Sequence, residues 1–414
     1  MKEDILSNLD NPGPLEKLYR ANKSAFKQEF NALYPEIKNS RLAIFWNERL
    51  NYENVEISWG TRNELAFVLL LALVAGIIAK IPAFLALNED FYYPRNIGFI
   101  VFPALTAYFA WKNHLSLQKI TLLIGATAVA LIYINSLPDN NQSDTLILAC
   151  IHLPIFLWTL LSLAFSGDEF RNHEKRLGFL RYNGDLLVMT ALILIAGFMM
   201  SGITIGLFSL IGLQIEQLYF NYVGIFGLAA APIIGTYLTQ TNPQLVSKVS
   251  PVIAKIFSPL VLGMLVVYLF AIIISGKDPY NDREFLLLFN ALLVGVMALI
   301  FFSVAESSQS TKSQAAIWVL FLLSCVTVVV NGIALSAIVF RISEWGITPN
   351  RLAVLGSNIL ILLNLLLVTA KLLKSLNWKA NLAEVGKLIV SFLPVYSIWA
   401  ILVIFLFPLL FGFK

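Results

Sequence analysis

The sequence predicts an all-α, polytopic helical membrane protein with about eleven transmembrane helices, and three observations carry that prediction. From Glu64 to the C-terminus the chain is a train of long apolar runs separated by short polar loops. Hydrophobic residues make up 58% of its 414 residues and charged residues 13%, against about 25% charged in a soluble domain. The runs approach or exceed the ~20 residues a helix needs to cross a bilayer, and they lack the dyad alternation of barrel strands.

The expected spans are Glu64–Leu87, Asn96–Trp111, Leu117–Leu137, Thr145–Phe165, Asp185–Leu213, Leu218–Leu238, Pro251–Ser275, Glu284–Ala305, Ala315–Phe340, Leu352–Leu373 and Leu388–Phe411. The second is short, carries Pro103, and reads as tilted or partly re-entrant. The fifth holds Gly197, Gly202, Gly206 and Gly212, so a kink, a strong tilt or a break near Ser201-Gly202 is expected. Placing the N-terminus in the cytoplasm puts 22 of the 29 Lys and Arg residues on the inside, six outside, and Lys80 within a span. That bias follows the positive-inside rule and predicts an N-in, C-out topology. Met1 opens a polar, charged segment, so no cleavable signal peptide is expected.

Residues 1–62 form the first expected region, a cytoplasmic amphipathic helical segment, and residues 63–414 the bundle. Asn11-Pro12-Gly13 is a turn signal ahead of a helix. Leu15, Leu18, Tyr19, Phe26, Phe30, Leu33 and Tyr34 fall near helical spacing, and Ile44, Phe45, Trp46 and Leu50 cluster in a second stretch. These faces read either as helices packed on the membrane or the inner loops, or as a docking site for a soluble protein partner. The segment is short for a domain that folds alone.

Polar groups at membrane depth are the candidate site, because an unpaired one in hydrocarbon is costly. Lys80 lies about 10 Å from the outer end of its span at 1.5 Å rise per residue. It either snorkels to the surface or serves a ligand. His152, before Pro154, reads first as an interhelical hydrogen bonder. Tyr133, Asn135, Asn221, Tyr222, Asn290, Asn331 and Asn358 all fall in the outer half of their spans. They form either a structural network or a polar cavity open to the outside. The outer loops add Glu89, Asp90, Tyr92, Tyr93 and Arg95, then Lys277, Asp278, Asp282, Arg283 and Glu284, then Arg341, Glu344, Trp345 and Arg351. Acidic residues there suit helix starts. Arginines on the disfavoured side call for ion pairs, or for an anionic headgroup or phosphate.

The stretch from Arg341 through Ile342-Ser343-Glu344-Trp345-Gly346-Ile347-Thr348-Pro349-Asn350 to Arg351 resembles the (R-I)-x-E-(aromatic)-G-(L/I)-T-x-x-R signature of a bacterial family of polytopic membrane proteins, domain of unknown function 4153. Asn281 to Phe285 and Leu15 to Arg20 are similar to its members as well. The resemblance implies a bacterial inner membrane and a multi-span fold, and it carries over no catalytic residue. Read locally, Gly346 permits a turn with positive φ. Thr348-Pro349 reads as an N-cap with proline at the first helical position. Arg341 and Arg351 are expected to bracket Glu344.

No nucleotide-binding, metalloprotease, hydrolase or kinase signature occurs. His114, His152 and His173 are scattered, and Cys150 and Cys325 lack metal spacing, so neither metal nor cofactor is expected, and no nucleic-acid partner. Gly202…Gly206 and Gly227…Ala231 are expected to mark close helix packing. No internal repeat is evident, which weakens an inverted-repeat transporter. Three functions fit. The first is transport or handling of a small or lipid-linked solute, with membrane lipids as partners. The second is a non-catalytic sensor or assembly subunit acting through the N-terminal helices. The third is an outer-leaflet membrane transferase.

Overall fold

The computed structural model describes residues 2–51, 60–140, 142–210, 213–247, 249–275, 280, 283–307, 314–376 and 382–413, and among these every regular element is helical. The chain divides into two compact units, Met1–Gly60 and Thr61–Lys414.

The first unit contains α1 (Lys2–Ser7), α2 (Pro12–Ala21), α3 (Lys23–Ile37) and α4 (Arg41–Asn51). Pro12 sits in the first turn of α2, where its missing N–H costs nothing. The apolar positions of the four helices turn onto one another: Ile5, Leu15, Phe26, Phe30, Leu33 and Trp46 are all buried. Trp46 lies at the centre, its ring 5.1 Å from Phe26 and 5.4 Å from Tyr19. The Arg49 guanidinium covers its outer face at 4.6 Å. Ile44 and Phe45 stay exposed.

Glu16 joins two helices of this unit, pairing with Arg20 at 2.8 Å and with Arg49 at 2.8 Å. The bond from Arg20 holds its carboxyl below the usual carboxylate range; partial desolvation opposes this and Arg49 adds to it. A depressed folded pKa contributes stability above the unfolded carboxylate pKa and loses it as pH falls through the folded one. Acidification through that range is therefore expected to loosen the unit. Glu16→Gln should remove this part of the acid sensitivity, read as protease susceptibility of residues 2–51 against pH.

The second unit contains α5 (Arg62–Leu85), α6 (Glu89–Lys112), α7 (Leu117–Ser136), α8 (Asp144–Ser166) and α9 (His173–Leu210). Next come α10 (Glu216–Tyr219), a π turn over Phe220–Gly224, α11 (Ile225–Thr241), α12 (Gln244–Ser247), α13 (Val249–Ser275) and α14 (Arg283–Ser307). Then follow α15 (Gln314–Trp345), α16 (Pro349–Leu376), α17 (Leu382–Ile401), a second π turn over Leu402–Leu406, and α18 (Phe407–Leu410). Nine helical stretches among the described residues are long and apolar enough to cross a membrane, which points to a multi-pass membrane protein. The two remaining expected spans are helical too: α6 has 24 residues and α13 has 27.

Several sequence expectations are corrected. The break expected near Ser201-Gly202 is absent: α9 runs unbroken for 38 residues to Leu210, and the Ser201 hydroxyl bonds the Gly197 carbonyl at 2.7 Å within the same helix. Glycine costs a helix only about 1 kcal/mol, so Gly197, Gly202 and Gly206 do not break it; Gly212 lies outside the described residues. The second span is longer than expected, because Asn88 caps α6 through the Asp90 N–H and two acidic residues start the helix. Gly202, Gly206 and Gly227 face open space. Close packing occurs instead at Gly76, where a Cβ would overlap the Phe226 ring, and at Gly184, where it would overlap the Phe302 ring.

Polar contacts show how the helices run past one another. Glu64, at the start of α5, accepts from the Tyr108 hydroxyl at 2.8 Å and from Lys112 at 3.3 Å, at the end of α6. Asn113 donates to the Ala164 and Phe165 carbonyls at the end of α8. At the other end of α5, Pro82 has no N–H, so the Ile78 carbonyl lacks its helical donor. The Tyr92 hydroxyl fills that role at 2.8 Å, and Tyr93 donates to the Ala79 carbonyl at 3.1 Å. Two apolar cores result. One lies among α5 to α8 and α11; the other among α13 to α17 with the start of α9.

Candidate functional site

The stretch that carries the family resemblance is mostly helix. α15 continues to Trp345, so Arg341 and Glu344 belong to its last turns rather than to a loop. Gly346 has φ +77°, the left-handed conformation that lets a chain leave a helix. Thr348 then caps α16, its hydroxyl accepting the Arg351 N–H at 3.3 Å, with Pro349 at the first helical position. The two arginines do not bracket Glu344, which is exposed. They flank the Trp345 indole instead, at 5.4 and 5.6 Å. Arg351 also donates to the Trp345 and Gly346 carbonyls at 2.8 and 2.6 Å. Backbone carbonyls at a helix C-terminus carry partial negative charge and have no intrahelical donor, so they capture the guanidinium ahead of a solvated carboxylate. Arg341 donates to the Tyr280 carbonyl at 2.8 Å, which brings the segment before α14 to the end of α15. Asp282 lies outside the described residues, and Arg283 opens α14.

Beside this turn lies an open cleft of about 800 Å³. Ile347, Thr348 and Pro349 form one wall, Gln142 and Asp144 at the start of α8 another, and Leu410, Phe411 and Gly412 the third. Each wall is fixed by a helix terminus. Ser143 caps α8 through the Leu146 N–H and also donates to the Phe413 carbonyl at 3.0 Å. The lining combines a carboxylate, an amide and a hydroxyl with four apolar side chains, and its size falls within the ~300–1,000 Å³ of small-molecule sites.

The remaining expected site residues do not share this cleft. Lys80 is 6% exposed on α5, and the Tyr222 ring covers it at 4.9 Å. The His152 ring nitrogen Nδ1 contacts the Leu148 carbonyl of its own helix at 2.9 Å, rather than a neighbouring helix. Asn331 and Asn358 do meet, since the Asn331 amide donates to the Asn358 carbonyl at 3.2 Å in the α15–α16 interface. Asn290 is half-buried on α14. Tyr133, Asn135, Asn331 and Asn358 thus enter pairwise helix contacts, as polar side chains in a bundle interior commonly do. Tyr133, for instance, donates to the Phe405 carbonyl at 3.3 Å.

The structure also reveals polar residues whose role the sequence hides. Arg95, expected in a loop, is 2% exposed within α6. It donates to the carbonyls of Ile134 at 2.8 Å, Leu137 at 3.1 Å and Pro138 at 3.3 Å, and reaches Asp139 at 3.4 Å. Asn96 and Asn135 pair their amides at 2.9 Å. On α9 and α14, Arg181 meets the buried Glu306 at 3.6 Å. The one sequence signal for Arg95 was its place on the side the positive-inside rule disfavours. Among the described residues no group of three His, Cys, Asp or Glu could hold a metal ion.

Comparison of the chain with protein-family models, with curated proteins and with solved structures gives no match.

Proposed function

We propose that this chain spans a bacterial inner membrane eleven times, N-terminus inside and C-terminus outside, and handles a small or lipid-linked solute at the Thr348 cleft. The cleft carries the reading. Its polar wall of Gln142, Asp144 and Thr348 suits a hydroxylated or amine-bearing headgroup, and its Ile347, Leu410 and Phe411 surface suits an acyl or isoprenoid chain.

The same cleft supports the count. Gln142 and Asp144 meet Ile347 and Thr348 there. Five of the nine qualifying stretches lie between these segments in the chain. Five crossings would leave them on opposite faces; a sixth, by α13, returns the chain to the same one. Contacts of α6 with both ends of α5 support counting it as well. The inner-membrane assignment extends the family resemblance.

The test is transport in proteoliposomes loaded with fluorescent phospholipid or isoprenoid-phosphate probes. Ile347→Trp, which narrows the cleft, is expected to slow probe movement about tenfold or more, equivalent to ~1.4 kcal/mol or above. Asp144→Asn should slow it selectively for headgroups bearing amines. Absence of movement with every probe in the wild type would remove the transport reading. The exposed Ile44 and Phe45, at 45% and 58% on an otherwise folded unit, would then favour a sensor or assembly subunit. An outer-leaflet transferase has less support, because Arg341 and Arg351 are engaged with backbone carbonyls and Trp345.

A further inference from the structure

Two basic side chains are buried among the described residues of the second unit, Lys80 and Arg95. Their surroundings differ in kind. Arg95 finds four oxygen acceptors. Among the described residues Lys80 has no oxygen acceptor; what faces it is the Tyr222 ring at 4.9 Å. Most of the Lys80 side chain is buried, and an ammonium at membrane depth without a counter-ion is disfavoured. A single ring face offsets only part of that cost.

Tyr222 is itself unusual. It lies on the π turn Phe220–Gly224, a local widening of the helix that is frequent at functional sites. Its side chain is 51% exposed while the lysine beneath is 6% exposed. The ring is therefore a roof with open space on its far side. Lys80 is five residues from the end of α5 at Leu85, about 8 Å by helical rise.

We propose that Lys80, beneath Tyr222, binds one anionic oxygen group, a phosphate or carboxylate, that enters past the π turn at the outer end of α5. The anion supplies the acceptor that the described structure withholds from the ammonium, and displacement of the exposed ring opens the way. The site is distinct from the Thr348 cleft; its position on the outer face rests on the topology proposed above.

The test uses the full-length protein in nanodiscs. One arm holds phosphatidylcholine doped with phosphatidylglycerol, and lipid retained on the protein is counted by native mass spectrometry. The other holds phosphatidylcholine alone, titrated with inorganic phosphate and followed by thermal shift. The wild type and Lys80→Arg should retain phosphatidylglycerol several-fold over phosphatidylcholine, or be stabilised by phosphate; Lys80→Gln and Lys80→Met should lose the effect. Loss in the first arm alone assigns a lipid headgroup, and loss in the second a soluble anion. Equal behaviour of Lys80→Gln and wild type in both arms overturns the proposal. Should the neutral variants not fold, a phosphatidylglycerol analogue with a photoreactive headgroup decides on the wild type. Label on the peptides of Lys80 or Tyr222 supports the site, and label elsewhere overturns it.

Discussion

Replacing Arg95 by methionine is expected to destabilise the membrane-embedded unit by about 3–5 kcal/mol, the cost of breaking a buried charged network from one side. The side chain is 2% exposed and serves three carbonyls at the end of α7 together with Asp139. Without it the Ile134 and Leu137 carbonyls, on buried residues, lose their donor. Lysine should rescue only part, because a single ammonium cannot span acceptors that the planar guanidinium fork reaches together. Thermal unfolding in detergent is the measurement. Arg62→Met, at the exposed start of α5, should remain within about 0.5 kcal/mol of wild type. An Arg95→Met protein that unfolds like wild type would show that the network is not what holds α6 to α7.

Trp46→Ala should unfold the N-terminal unit while leaving the bundle intact. Removing a buried aromatic costs ~3–5 kcal/mol. A unit of this size holds only a few kcal/mol in all, at ~0.05–0.15 kcal/mol per residue. Trp46 is 2% exposed and touches Tyr19, Phe26 and Arg49. Limited proteolysis of the full-length protein should then cut rapidly among the first 51 residues. Phe45→Ala, one residue away but 58% exposed, should be nearly silent. Equal protease resistance of Trp46→Ala and wild type would mean that each amphipathic helix is supported separately, on the membrane or on other loops.

Legibility of this protein differed by the range of the interaction involved. Apolar runs announced the helices, since burying a backbone in hydrocarbon allows few other structures. Local turn chemistry was legible too: Gly346 in the left-handed region and Thr348-Pro349 opening α16 follow from their own backbone preferences. Partner choice was not. Glu344 lies closer in sequence to both arginines than any other carboxylate, yet they settle on Trp345 and on backbone carbonyls. Small-residue spacing likewise named Gly202 and Gly206, while the close contacts fall at Gly76 and Gly184. Spacing along one helix says nothing of which neighbour will face it.

By itself the sequence determined that this chain is helical and built of membrane-length segments, because hydropathy and helical period are properties of a run of residues. It also determined where the basic residues concentrate, and so which topology to expect. Tertiary structure alone decided which ends of those helices meet. It gathered the starts of α8 and α16 and the end of the chain around one cleft, and gave Arg95 its acceptors while leaving Lys80 beneath an aromatic ring. The physical reason is that a buried polar group is satisfied by whatever donor or acceptor the packing brings within about 3 Å, and packing is fixed by the whole bundle, not by the neighbours in sequence.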